Sequence, residues 1–157
     1  MRYLILIFFF FTSIICGASS CSKSENRDLT NRNSENNDTT MKSKIKITVN
    51  SQTFTATLFD NNSAKAFREM LPMTINMIEL NGNEKYFDLP ENLPTDATKL
   101  KSIRTGDLML YGSNTLVLFY KTFSTSYSYT GLGRIDDPSG LIEALGSGDI
   151  TVTFEEE

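Results

Sequence analysis

Hydrophobic and polar residues alternate along several short stretches of the chain, as in β-strands with one buried face. This alternation covers residues 45–49, 53–58 and 150–154. The stretch 106–121 differs, because two nearly continuous apolar runs flank Gly112-Ser113-Asn114. Strands of that kind are usually covered on both faces. We therefore predict a central β-hairpin in the wall of a small closed barrel.

Two other stretches have the apolar spacing of helices. Capping residues at 60–63 precede the first helix, and Pro72 ends it. For the second helix we predict Asp137 as the N-cap, Pro138 in the first turn and Gly146 just past the end.

The segment 73–80 contains a change of phase, because apolar residues alternate up to Met77 and then shift by one position. A shift of this kind predicts a β-bulge, and the following Asn81-Gly82 predicts a tight hairpin turn. Together the elements predict a mainly β fold over residues 44–157. It is a small closed barrel of about eight strands with two helices covering its ends.

The first 20 residues have the features of a signal peptide. Arg2 precedes a 12-residue apolar run at 4–15, and small residues follow. The A-S-S-C sequence ending at Cys21 resembles a bacterial lipobox, so we predict that Cys21 is lipidated. The alternatives are a structural or redox cysteine at this position, or lipidation of Cys16, which bulky isoleucines precede.

Residues 22–43 contain only two apolar side chains and nearly balanced charges, which predicts a disordered tether. Within the tether, Thr39 lies in a D-T-T sequence that resembles an O-glycosylation acceptor. We predict an exported protein that is held by its lipid to the bacterial cell envelope. Ser22, after the cysteine, favours the outer membrane.

Composition narrows the possible functions. A net charge of −4 argues against nucleic-acid binding. The chain has no histidine, so it lacks the residue that most often acts as a general base or metal ligand. A serine–histidine catalytic triad is excluded for the same reason. Asp136, Asp137 and Asp149 could bind a cation, but we interpret the first two as helix caps and pair Arg134 with Asp136. We predict neither a cofactor nor a metal.

The central hairpin and the segments after it resemble the cyclophilin-like fold. The motifs that carry this resemblance are G-D-L-M-L-Y-G, L-V-L-F-Y-K-T, G-L-G-R-I-D-D-P-S-G-L-I-E-A-L and D-I-T-V-T-F. The chain is more similar still to short bacterial cyclophilin-like domains of unassigned activity, some of them attached to flavodoxin-type proteins. The resemblance covers roughly residues 44–155.

The resemblance also implies which pocket residues are kept and which are lost. Phe119 corresponds to a pocket phenylalanine, and Tyr129 stands where active cyclophilins have a histidine. The isomerase arginine is expected in the strand before the long loop, where K-Y-F-D stands, and the chain has no tryptophan. We therefore expect a lipid-anchored binding or scaffold module without efficient prolyl isomerase activity. The alternative is a divergent isomerase, or another enzyme that uses the same pocket.

Four aromatic residues are the candidate lining of this pocket: Phe119, Phe123, Tyr127 and Tyr129. Phe119 would form the floor and Tyr129 a wall, with the hydroxyl-rich loop 122–130 as the lip. A peptide or a small apolar ligand would suit such a pocket. Alternatively, Phe119 belongs to the barrel core and the tyrosines of the loop pack over one end of the barrel.

Overall fold

The structure, a computed structural model, describes residues 43–157. The predicted signal peptide, the candidate lipidation site Cys21, most of the tether and the candidate glycosylation site Thr39 lie outside the described residues.

The described chain forms eleven strands and two helices. In chain order these are β1 (Lys44–Val49), β2 (Gln52–Leu58), α1 (Asn62–Glu69), β3 (Met73–Leu80), β4 (Glu84–Asp88), β5 (Thr98–Lys99), β6 (Ser102–Ile103), β7 (Asp107–Tyr111), β8 (Thr115–Phe119), β9 (Phe123–Ser124), β10 (Ser128–Ile135), α2 (Leu141–Leu145) and β11 (Ile150–Glu156).

Eight antiparallel strands close into a barrel in the order β2-β1-β11-β3-β4-β8-β7-β10, and pairing of β10 with β2 completes the ring. The short strand β5 extends β10, and β6 pairs with β9 outside the ring. The predicted fold, a mainly β closed barrel with two helices, is therefore confirmed. The Asn81-Gly82 turn is confirmed too, because both residues have positive φ angles, 56° and 67°.

Both helices bury their apolar faces in the barrel core. In α1 the N-cap is Asn61, whose side chain accepts a hydrogen bond of 2.8 Å from the backbone N–H of Ala64. Phe67 of this helix is fully buried and packs edge-on against Phe154 of β11. In α2 the buried residues are Leu141, Ala144 and Leu145.

The predicted start of the second helix is wrong by a few residues. The helix begins at Leu141 with Gly140, at φ 81°, as its N-cap. Asp137 instead accepts a 3.0 Å hydrogen bond from the backbone N–H of Ser139 and so stabilises the turn before the helix. The side chain of Asp137 does accept a backbone hydrogen bond, but in a turn before the helix and not as its N-cap.

The predicted bulge in 73–80 is also wrong, because β3 keeps a regular alternation throughout. Ile78 and Leu80 are exposed on the outer face, whereas Glu79 continues the inward series after Met77. A charged residue at an inward position produced the apparent phase shift. The register shift in the described sheet is instead in β10, between Gly131 and Gly133.

Asp136 and Asp149, on either side of α2, accept hydrogen bonds from residues of the first three strands. Asp136 accepts hydrogen bonds from Lys44 and Thr57, and Asp149 accepts one from the backbone N–H of Glu79. Arg134 pairs with the buried Asp107, so the expected pairing with Asp136 is wrong. Within residues 43–157, no group of three or more acidic or cysteine side chains is placed to hold a metal ion. Neither described helix is long and apolar enough to cross a membrane.

Candidate functional site

The strands of the central hairpin are covered on both faces, as their continuous apolar runs predict. Inward residues such as Leu108 and Leu118 belong to the barrel core. Outward residues belong to a second, smaller core made of Ile103, Met109, Val117, Phe119 and Tyr129. The segments around β6 and β9 supply part of this outer cover, through Ile103 and Phe123.

The strand register brings a set of polar and aromatic side chains together on this outer face. In β4, Glu84 lies opposite Phe119 of β8, and Tyr86 lies opposite Val117. In β7, Tyr111 lies opposite Thr115. Because side chains alternate along a strand, these residues all point away from the barrel core.

A cleft of about 410 Å³ opens on this face. Its lining consists of Leu80, Asn81, Glu84, Tyr86, Asp88, Tyr111, Thr115, Val117, Tyr127 and Tyr129. Tyr111 is central to the aromatic wall, with its ring centroid 6.2 Å from that of Tyr127 and 5.6 Å from that of Tyr129. Four tyrosines thus surround one opening.

The structure separates the four predicted pocket residues into two pairs. Tyr127 and Tyr129 line the cleft, Tyr127 being 62% exposed and Tyr129 buried. Phe119 is fully buried beneath them and is not among the lining residues. Its ring packs edge-on against Tyr129, with centroids 5.4 Å apart, and the tilted ring of Phe123 lies 5.6 Å from it.

Sequence reasoning missed eight of the ten lining residues, and the three that matter most are Glu84, Tyr86 and Tyr111. Each stands at an outward position of a barrel strand, where it reads as ordinary strand sequence. The signal that could have found them is the register between strands. Glu84 faces Phe119 and Met109 faces Val117, so Tyr86 and Tyr111, each two residues further along its strand, point to the same side. That register depends on pairings between distant segments.

Glu84 is the most unusual group in the cleft. It is only 9% exposed, and within residues 43–157 its carboxyl group has no hydrogen-bond or ion-pair partner. Burial, and then the charge of Glu79, raise the pKa of Glu84. Burial also raises the pKa of Tyr129 to about 12, with a further contribution from Glu84. Tyr129 is therefore neutral at any physiological pH.

The opposite face of β4 carries a different polar group. Lys85 is fully buried at the inner side, where its ammonium group donates to Glu79 and to the carbonyl oxygens of Gly146, at 3.1 Å, and Gly148, at 2.7 Å. The hydroxyl of Tyr120 donates to both carboxylate oxygens of Glu79, at 2.8 and 2.9 Å.

These bonds determine the protonation of Glu79. Burial by itself would raise its pKa, but hydrogen bonds from Lys85, Tyr120 and the backbone N–H of Gly82 outweigh that effect and lower it. Burial, and then Glu79, raise the pKa of Tyr120 to about 12. The polar groups of the inner cluster, Glu79, Lys85 and Tyr120, thus have hydrogen-bond partners within the barrel. This arrangement indicates a structural role.

Comparisons with known proteins support the barrel fold. A model of the cyclophilin-like family matches residues 47–155. A hypothetical protein from Archaeoglobus fulgidus, known from a solution structure, shares 15% sequence identity with a TM-score of 0.53, over 74% of this chain and 96% of that one. At that identity the likeness concerns the fold alone. No curated protein matches the sequence. The family match covers most of the chain, and the chain therefore belongs to the cyclophilin-like family.

Proposed function

We propose that this chain is a lipid-anchored binding module of the bacterial cell envelope, and that the tyrosine-lined cleft on the outer face of its barrel is the binding site. The observation that carries the proposal is the cleft itself. It combines four aromatic rings, three of them on barrel strands, with a few polar groups, and the central hairpin strands lie between two hydrophobic cores. Clefts of that composition and size are typical of ligand sites.

The chemistry of the cleft supports binding over prolyl isomerisation. The uncatalysed barrier to rotation about a peptide bond is about 18–20 kcal/mol, and a catalyst must offer donors that weaken its double-bond character. A guanidinium offers several fixed donors. Here β4 is the strand before the long loop, and its residue opposite Phe119 is Glu84, whose ionised carboxylate only accepts. Among the described residues, the cleft lining includes no lysine or arginine.

The proposal gives the predicted lipid at Cys21 and the tether through residue 43 an anchoring role. The tether leads into the first barrel strand, β1, which begins at Lys44. With the domain tethered in this way, the cleft would sample ligands near a membrane surface.

A protease-coupled assay with a proline-containing peptide tests the catalytic side of the proposal. We expect the rate with the full-length chain to stay at the uncatalysed background under conditions where an active cyclophilin is readily measured. A rate comparable to that of the active cyclophilin would establish the isomerase alternative.

Metabolic labelling with an alkyne fatty acid tests the anchor. We expect wild-type chain to be labelled and membrane-bound, and Cys21→Ala to be unlabelled and released. Cys16→Ala is the matched control and should behave like wild type. Equal labelling of Cys21→Ala and wild type would contradict the predicted anchor.

A further inference from the structure

The carboxyl group of Glu84 has no partner in the part of the chain that the structure describes. Most of this residue is buried, but its carboxylate oxygens open into the cleft, where a ligand can reach them. The nearest candidate cation by sequence, Lys85, lies on the other face of β4 and is engaged by Glu79 and two carbonyl oxygens. The fold therefore leaves Glu84 unneutralised while it lines the cleft.

The groups around Glu84 are suited to a positively charged ligand. Aromatic faces attract cations within about 6 Å of the ring centre, and Tyr86, Tyr111, Tyr127 and Tyr129 line the same opening. A second carboxylate, Asp88, lies in the lining and accepts a 2.7 Å hydrogen bond from Thr115. No basic side chain is among the described lining residues to compete for these groups.

The apolar part of the lining restricts the shape of the ligand. Leu80 is exposed beside Glu84, which it faces across the β3–β4 pair, and Val117 lies on the neighbouring strand β8. These side chains offer a short apolar surface next to the carboxylate. A straight alkyl chain that ends in a compact charged group would cover this surface and bring its charge to Glu84.

We propose that the cleft recognises a primary ammonium group carried on a short alkyl chain, as in a lysine side chain, through an ion pair with Glu84. This inference rests on the proposed binding function and names the chemistry of the ligand. The tyrosine rings would surround the alkyl chain and the ammonium group, and Glu84 would gain the partner that the fold does not supply.

Intrinsic tyrosine fluorescence provides the measurement, since the chain has no tryptophan and four of its six tyrosines line the cleft. The full-length chain is titrated at pH 7 with n-butylammonium, 1-butanol and butyrate, which share an alkyl chain and differ in charge. We expect saturable changes with n-butylammonium at concentrations about tenfold lower than with 1-butanol, and none with butyrate. The reason is that n-butylammonium brings a positive charge to Glu84, 1-butanol offers only a neutral hydroxyl, and butyrate carries a like charge.

A further titration separates the two sources of such a group. Nα-acetyl-lysine methylamide presents the same ammonium group in a peptide setting. Tighter binding of this compound than of n-butylammonium would identify a peptide lysine as the ligand, and weaker binding would identify a free amine.

Variants test whether Glu84 is responsible. Glu84→Gln keeps the shape and should weaken n-butylammonium binding about tenfold without affecting 1-butanol. Glu91→Gln is the matched control, because it removes one negative charge from an exposed residue outside the lining and should change nothing. Tyr127→Ala removes a mostly exposed ring and should weaken n-butylammonium several-fold with the fold intact.

The outcomes distinguish a failure of this inference from a failure of the proposed binding function. If n-butylammonium and 1-butanol bind equally, or if Glu84→Gln binds n-butylammonium as wild type does, the cleft is a binding site but the inference is wrong. If none of the probes binds, the inference and the assignment of the cleft as the binding site both fail.

Discussion

Two glutamates on adjacent strands lie on opposite faces of the barrel wall and differ in the hydrogen bonds that they receive. Glu79 of β3 points inward and receives hydrogen bonds from Lys85, Tyr120 and the backbone N–H of Gly82. Glu84 of β4 points outward into the cleft and, in the described chain, has no such partner. Their pKa values shift in opposite directions, downward for Glu79 and upward for Glu84.

The comparison separates structural from functional polar groups. Both glutamates lose water, so burial alone does not explain the difference. What differs is the supply of partners, because Glu79 receives hydrogen bonds from two side chains and one backbone N–H, whereas Glu84 receives none within the described residues. A buried polar group without partners costs stability, and such costs are often found where a ligand is bound. Three substitutions test this distinction, in order of decreasing expected effect.

The largest effect is expected for Lys85→Met. This change leaves Glu79 partly buried without its cation and leaves the carbonyl oxygens of Gly146 and Gly148 without a donor. Removing one partner of a buried pair typically costs about 3–5 kcal/mol in the free energy of unfolding, which urea unfolding would measure. Lys101→Met, at an exposed lysine, is the control. A loss below about 1 kcal/mol would mean that the inner cluster does not support the fold.

A smaller loss is expected for Tyr120→Phe. The ring stays in the barrel core, but the hydroxyl that donates to both oxygens of Glu79 is removed. Hydrogen bonds to charged groups contribute about 1.5–3 kcal/mol. Tyr86→Phe makes the same change on the cleft side of the wall, and we expect it to leave the free energy of unfolding almost unchanged. Equal effects of the two variants would contradict the distinction between the faces.

The smallest effect, and one of opposite sign, is expected for Glu84→Gln. At pH 7 the variant should be more stable than wild type by about 1 kcal/mol, because a partly desolvated charge without a protein partner is removed. The pKa of Glu84 is raised on folding, so the folded chain binds this proton more tightly than the unfolded chain. Wild type therefore gains stability as the pH falls from above the raised pKa towards the ordinary value of 4.5.

Urea unfolding at several pH values checks this prediction. The advantage of Glu84→Gln should shrink as the pH is lowered towards 5. Below 4.5 the lowered pKa of Glu79 acts in the other direction, since protonation of Glu79 removes stability there. If the advantage of the variant stays constant between pH 7 and pH 5, Glu84 does not titrate as its surroundings imply.

Much of the barrel follows from local patterns. The continuous apolar runs of β7 and β8 predicted strands covered on both faces, and they lie between the barrel core and the smaller outer core. Asn81-Gly82 predicted the turn between β3 and β4. Errors arose where one residue had an unexpected environment, as with inward-facing Glu79 and the turn-forming Asp137.

The candidate site was harder to predict. Tyr127 and Tyr129 were found because they stand out in a hydroxyl-rich stretch that was predicted as a loop, although Tyr129 lies in β10. Glu84, Tyr86 and Tyr111 were not found, because each looks like a routine strand residue until β4, β7 and β8 are placed side by side. A carboxylate in a strand is normally exposed and solvated, and nothing near Glu84 in the sequence indicates that it is buried.

Strand alternation, helix spacing and turn residues were enough to predict most of the strands and both helices, because they act over a few neighbouring residues. The closure of the barrel depends on pairings between distant segments, such as β10 with β2. Which charges find partners was decided only by the tertiary structure. Lys85 is satisfied because the loop between α2 and β11 brings two carbonyl oxygens to it. Within the described residues Glu84 has no partner, because the cleft lining supplies no basic side chain and none of its amide or hydroxyl donors forms a hydrogen bond with Glu84. Partners of this kind come from segments far apart in the chain, and only folding determines them.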